Sequence, residues 1–304
     1  MAEYEDTAKD LIMYEPHISM GLMDCSGEGS RTCSKLRIPR MPWFKLFKQG
    51  QMDQDYYQSK NKKSMIKFMR NFFGSPIKKL RSVADVEDYL QEEEGSVIAF
   101  FNKKETELKE VYTKVAQDLH EIGLYFGYVT NATTRVQYKQ YDNQIIVVRS
   151  KLLDSRHEDR IAVYNDPLDQ VTLHNWMIKQ QLGLMSFRTR DNEFLFKHPL
   201  TVIYINVILD FEYAPQATIN TLKMRELFMK TAANYSSQMN FAISDKKVHR
   251  TELRNCGYSN EKITEYRPLI CIYNDEDRFN MKMNFDSEAF SEAVDKFLDG
   301  RVQR

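Results

Sequence analysis

Ser96-Val-Ile-Ala-Phe-Phe101 and Leu124-Tyr-Phe-Gly-Tyr-Val129 are short, nearly unbroken apolar runs, and between them Leu108, Val111, Tyr112, Val115, Leu119 and Ile122 recur at helical spacing. A continuous apolar run bounded by polar residues is what a strand buried on both faces requires. A stripe recurring every three to four residues is one face of a helix. Strand, helix and strand in that order predict a sheet layered between helices. Working outward, Val83-Ala-Asp-Val-Glu-Asp-Tyr-Leu90 has helical spacing, and a polar helical stretch runs around Arg135 to Tyr141. Gln144-Ile-Ile-Val-Val148 and Arg160-Ile-Ala-Val-Tyr164 form a strand pair joined by a polar turn, and Val171 to Leu182 closes as a helix. With a short strand near Leu80 the order is βαβαβαββα.

The same order returns from 187 to 304. Leu200-Thr-Val-Ile-Tyr-Ile-Asn-Val207, Met239-Asn-Phe-Ala-Ile243, Pro268-Leu-Ile-Cys-Ile-Tyr273 and Phe279 to Phe285 read as strands. Met224, Leu227, Phe228 and Ala232 make a helical stripe, Val248 to Asn255 a further helix, and a last helix starts at Ser287 and stops at Gly300. The first 76 residues carry only the back half of the pattern. They show a helix from Glu3 to Tyr14, a strand at Ile18 to Met23, a short helix near Cys33, strands at Trp43 to Phe47 and Tyr56 to Tyr57, and a helix from Ser64 to Phe73. Boundaries fall at Gly74-Ser-Pro76 and between Gly183 and Asn192. The expected organisation is a partial domain at 1–76 and two full domains at 77–184 and 185–304.

A chain of 304 residues supports two or three cores of ordinary size. Lys+Arg and Asp+Glu balance at 43 each, so no global field draws the chain to nucleic acid or anionic lipid, and no nucleic-acid partner is expected. No apolar run is long enough to span a membrane, the first residues lack the apolar core of a signal peptide, and the last four are not a retention signal. Two glycosylation sequons, Asn131-Ala-Thr133 and Asn234-Tyr-Ser236, point instead to the secretory route. The six histidines and four cysteines show no metal-ligand spacing, so neither a metal nor a cofactor is expected.

Asp24-Cys25-Ser-Gly-Glu-Gly-Ser-Arg-Thr-Cys33-Ser-Lys-Leu-Arg-Ile38, followed by Met41-Pro42-Trp-Phe-Lys-Leu-Phe47 and Gly50, resembles the protein disulfide isomerase family. The likeness is to the end of the first catalytic domain in its glycoprotein-directed branch, which works with calnexin and calreticulin. Leu80-Arg-Ser-Val-Ala, Phe100-Phe-Asn, Gln144-Ile-Ile-Val-Val-Arg149 and Gly183-Leu-x-x-x-Arg188-Thr-x-Asp191 are similar to its second domain and the linker after it. Asn240-Phe-Ala-Ile243, Glu252-Leu253, Gly257-Tyr258 and Phe297-Leu-Asp-Gly300 are similar to its third. The resemblance implies an α/β fold of tandem thioredoxin-like domains, the first truncated, and a place in the lumen of the endoplasmic reticulum.

Redox exchange in that family needs a thiolate and a second thiol separated from it by two residues. Cys25, Cys33, Cys256 and Cys271 offer no such pair, so no catalytic residue is assigned. Lys103-Lys-Glu-Thr106 and the segment near Leu209 stand where the motif would lie in the second and third domains. By resemblance Cys25 and Cys33 form a structural disulfide, and Pro42 and Pro268 are the candidates for the family's cis-proline. Cys256 and Cys271 read as small buried apolar residues. The family's basic patch for the acidic arm of calnexin-type lectins maps to Lys246, Lys247 and Arg250. Two functions follow: a non-catalytic module that binds unfolded or glycoprotein clients and lectin chaperones, or an oxidoreductase whose Cys-x-x-Cys domains lie outside this sequence.

Overall fold

The computed structural model describes residues 2–14, 17–38, 42–48, 50–56, 61–73, 75–91, 95–102, 107–119, 124–190, 192–209, 214–264, 267–274, 277–281 and 287–300. The chain divides into two compact units, Met1–Pro76 and Ile77–Arg304.

In the first unit α1 (Ala2–Tyr14) and α2 (Ser30–Lys35) precede a hairpin of β1 (Lys45–Lys48) and β2 (Gln51–Asp55), and α3 (Lys62–Phe73) closes it. Gly50 takes φ of +80° in the hairpin turn, a conformation that glycine adopts without a Cβ penalty. Asn61 caps α3 by accepting the Ser64 N–H at 2.9 Å. Helices α1 and α3 are joined by Lys62, whose N–H donates to Glu3 at 2.8 Å and whose ammonium pairs with Asp10 at 2.9 Å. A small core of Leu46, Tyr56 and Met65 is rimmed by Tyr4, Phe44 and Phe68. The expected strand at Ile18 to Met23 does not form: the segment takes no rung in a sheet among the described residues. Its apolar pattern suits a strand, but a strand exists only with a partner, and among the described residues of this unit the one sheet is the β1–β2 hairpin. Tyr4 Oη instead holds the segment by donating to the Gly21 carbonyl at 2.7 Å. Ile12, Met13, Leu22 and Met23 remain exposed.

Among the described residues the second unit holds two five-stranded sheets. The first is built from β3 (Ile77–Leu80), β4 (Ser96–Phe100), β5 (Tyr125–Val129), β6 (Ile145–Val148) and β7 (Ile161–Val163), in the order β3-β5-β4-β6-β7. Strand β4 is central, parallel to β5 and antiparallel to β6. Its side chains alternate between two cores, as the period of two demands. Val97, Ala99 and Phe101 join α5 (Glu107–Leu119) and α7 (Gln170–Leu182), while Ile98 and Phe100 meet α4 (Val83–Leu90) and Tyr138, which follows α6 (Ala132–Gln137). Ser82 starts α4 with a capping box to Asp85.

The second sheet contains β8 (Ser186–Arg188), β9 (Leu200–Ile205), β10 (Asn240–Asp245), β11 (Leu269–Tyr273) and β12 (Arg278–Met281), in the order β12-β11-β9-β10-β8. Helices α8 (Pro215–Tyr235) and α11 (Ser287–Leu298) cover one face through Phe228, Met229, Phe290 and Val294. Helices α9 (Arg250–Asn255) and α10 (Asn260–Thr264) cover the other through Leu253 and Ile263. The stretch after Gly183, expected as a linker, therefore supplies an edge strand, β8, parallel to β10. The remainder of the strand expected to end at Phe285 lies outside the described residues.

Candidate partner-binding face

The face begins where β10 runs into α9. Asp245 ends the strand and organises the turn: its carboxylate accepts the N–H groups of Lys247 at 2.7 Å, Val248 at 3.1 Å and Val207 at 2.9 Å. This fixes which of the three expected cations reach solvent. Lys247 and Arg250 are exposed, with Val248 between them 43% exposed. Lys246 is 1% exposed, and its ammonium donates to the Arg267 carbonyl. The expectation of Lys246 as a surface cation is thus corrected. Its N–H extends the ladder to the Ile205 carbonyl at 2.9 Å, which turns the side chain inward to a backbone acceptor. A buried ammonium that satisfies a carbonyl serves the fold.

Beneath the face lies a polar network centred on Glu252. One carboxylate oxygen pairs with His249 Nδ1 at 2.8 Å, and the other accepts from Arg188 Nη1 at 2.9 Å and from Tyr204 Oη at 2.9 Å. Tyr204 Oη lies 2.6 Å from Tyr273 Oη, and Arg188 Nη2 reaches Glu193 at 3.3 Å. Burial pushes the Glu252 carboxyl up. The bond from His249, the charge and bond of Arg188 and the bond from Tyr204 outweigh it and hold the group at about 2. Burial, with Glu252 also nearby, pushes the Tyr273 phenol up to about 12. Glu193, His249 and Glu252 place possible ligand atoms within 4.8 Å of one another, the arrangement among the described residues that a divalent cation could use. Arg188 already donates to both carboxylates there and supplies the positive charge.

Cys25 and Cys33 are bonded, with Cα atoms 5.7 Å apart, and Cys256 and Cys271 are bonded with Cα atoms 6.3 Å apart. Cys256 and Cys271 are buried, as their reading as small buried apolar residues expected, and the second bond adds to that reading: Cys256 follows α9 and meets Cys271 on β11. The even number of cysteines was the signal for it. The bond ties the helix bearing Arg250 to the sheet. The cis X–Pro bond among the described residues is His198–Pro199, not Arg267–Pro268. The Arg267 carbonyl is bound by Lys246, and Pro268 leads into β11 through a trans bond. Pro42 is exposed and precedes β1; Met41, and with it the bond before Pro42, lies outside the described residues, as do 103–106.

A family model for a thioredoxin-like domain matches residues 101–300. The curated relatives include "Probable protein disulfide-isomerase ER-60" of Schistosoma mansoni, 24% identical over 287 residues that cover 91% of this chain and 55% of the relative. Protein disulfide-isomerase A3 of Gallus gallus is 22% identical, covering 99% of this chain and 59% of its own length. The chain belongs to the protein disulfide isomerase family. It spans little more than half the length of these two relatives. Among solved structures, the bb fragment of ERp72 superposes with a TM-score of 0.62 and 21% identity, over 75% of this chain and 99% of the fragment. As a protein disulfide isomerase family chain of tandem thioredoxin-like domains, it presents this face on a sheet clamped by α9, α10 and the Cys256–Cys271 bond.

Proposed function

We propose that this chain is a non-catalytic binding module of the folding machinery in the endoplasmic reticulum lumen. In this reading it holds unfolded or glycoprotein clients and calnexin- or calreticulin-type lectin chaperones. The observation that carries it is the state of the thiols: all four cysteines are bonded, in pairs eight and fifteen residues apart. The nucleophile and resolving thiol of an exchange cycle stand three positions apart, with two residues between them, and this sequence has no such pair. What remains for function is surface. Lys247 and Arg250, with Val248 between them, offer positive charge flanking an apolar side chain, which suits an acidic, partly apolar segment. The two disulfides accord with an oxidising compartment.

The test is a titration of the chain with an acidic arm of the calnexin type at low and physiological salt. Affinity should fall as salt rises, because exposed charges are screened over about 8–10 Å. Lys247→Glu with Arg250→Glu should weaken binding several-fold, since each exposed charge pair contributes roughly 0.2–1 kcal/mol. Equal affinity for the wild type and the double variant, or an affinity indifferent to salt, would overturn the assignment of this face.

A further inference from the structure

The two sequons differ in what the fold asks of them. Asn131 is the N-cap of α6: its Oδ1 accepts the Thr133 N–H at 3.0 Å, and its Nδ2 donates to the Arg81 carbonyl at 3.2 Å. That second bond joins the start of α6 to the turn between β3 and α4. A sugar on Nδ2 would take one of the two amide hydrogens and crowd the nitrogen against the Arg81 carbonyl, so a glycoform there gives up a link in the fold.

Asn234 has no such duty. It lies in the last turn of α8, one residue before the helix ends at Tyr235, and its side chain is exposed. Among the described residues its amide makes no hydrogen bond. Its neighbours do the structural work: Tyr235 Oη donates to Asp295 at 2.6 Å, Ser236 Oγ donates to the Ala233 carbonyl at 3.1 Å, and Phe228, Met229 and Ala232 face the core. A large polar substituent at Asn234 therefore projects into solvent without displacing a contact. The sequon Asn234-Tyr-Ser236 supplies the residue pattern for the acceptor.

We propose that Asn234 carries an N-linked oligosaccharide and that Asn131 does not. The inference rests on the lumenal reading above, because the donor, an oligosaccharide linked to a lipid through pyrophosphate, is found in that compartment. Asn234 Nδ2 attacks the anomeric carbon of the donor. The N–C bond forms, the C–O bond to the pyrophosphate breaks and its electron pair leaves with the lipid pyrophosphate, while Nδ2 gives up one proton. The glycan adds a bulky, solvated group to the α8 side of the second sheet.

The full chain purified from its own cells tests this by intact mass before and after peptide-N-glycosidase. Cell fractionation and alkylation of free thiols on the same sample read the compartment separately. One enzyme-sensitive mass decrement is expected, lost in Asn234→Gln and retained in Asn131→Gln. A lumenal chain with bonded cysteines and an unmodified Asn234, or a decrement that Asn131→Gln removes, overturns this proposal and leaves the lumenal reading standing. A chain recovered in the cytosol with four free thiols overturns the lumenal reading and this proposal with it.

Discussion

Glu158 accepts the backbone N–H of Leu184 through both carboxylate oxygens, at 3.0 and 3.2 Å. Two largely buried arginines face the same carboxylate, Arg149 at 3.5 Å and Arg225 at 3.7 Å. Arg225 also donates to the Met185 carbonyl at 2.6 Å and to the Leu153 carbonyl at 3.1 Å, so one side chain on α8 ties the residue before β8 to the connection between β6 and β7. Gly183 completes the clamp: its φ is +57°, and a Cβ there would lie 2.7 Å from a Glu158 carboxylate oxygen. The face at Lys247 and Arg250 is therefore carried on a sheet anchored to its neighbour through a buried carboxylate.

Glu158→Ala should destabilise the second unit by about 3–5 kcal/mol, because it leaves two guanidinium groups buried without their counter-charge. Urea denaturation of the chain checks this. A midpoint within error of the wild type would show that the clamp contributes nothing.

Cys256→Ala with Cys271→Ala should cost about 3 kcal/mol, the chain-entropy value for a loop of this length. Lost packing of the fully buried Cys271 adds to that figure. Reduction of the wild type should shift the thermal midpoint downward in the same direction. An unchanged midpoint on reduction would mean that the α9–β11 bond does not constrain the fold.

The Glu252 network should stabilise the second unit at neutral pH and fail in acid. The folded-state carboxyl is held at about 2, below its ordinary value near 4.3. A depressed folded pKa means that the unfolded chain binds the proton first. The stabilisation is therefore fully present above the unfolded value and is lost as pH falls from about 4.3 towards 2. Glu252→Gln should flatten that part of the stability-versus-pH curve. A variant that retains the wild-type slope between those values would contradict the assignment.

Amides at 18–23 should exchange with solvent well before those at 97–100 and 201–205. The former take no ladder hydrogen bonds among the described residues, whereas the latter lie in β4 and β9, paired on both sides. Equal protection in a monomer would show that the segment has found a sheet partner.

What the sequence disclosed and what it hid follow one physical division. Strands β4, β5, β9 and β11 are buried on both faces, so their apolar runs announce them. Strand β8 is three residues, Ser186-Phe-Arg188, and its place as an edge is set by β10, which no local pattern encodes. Ile18 to Met23 has strand-like residues but no strand partner among the described residues, and pairing is a property of two segments. Lys246 reads as a surface charge because lysines usually are. Only the position of the Arg267 carbonyl makes it a buried donor. Cys256 and Cys271 were legible as buried, while their bond depends on α9 ending over β11. For the candidate face, Lys247 and Arg250 were legible as charges near a strand end, but the Glu252 network draws on Arg188, Tyr204 and Tyr273 from three different strands.

The claim that this chain binds without exchanging disulfides is tested most directly by its turnover in insulin reduction under a dithiol reductant. The account predicts a rate equal to the free-thiol background for the wild type and for Cys25→Ser with Cys33→Ser. A rate above background for the purified wild-type chain, saturating with insulin concentration, would contradict it and assign redox work to one of the two bonded pairs.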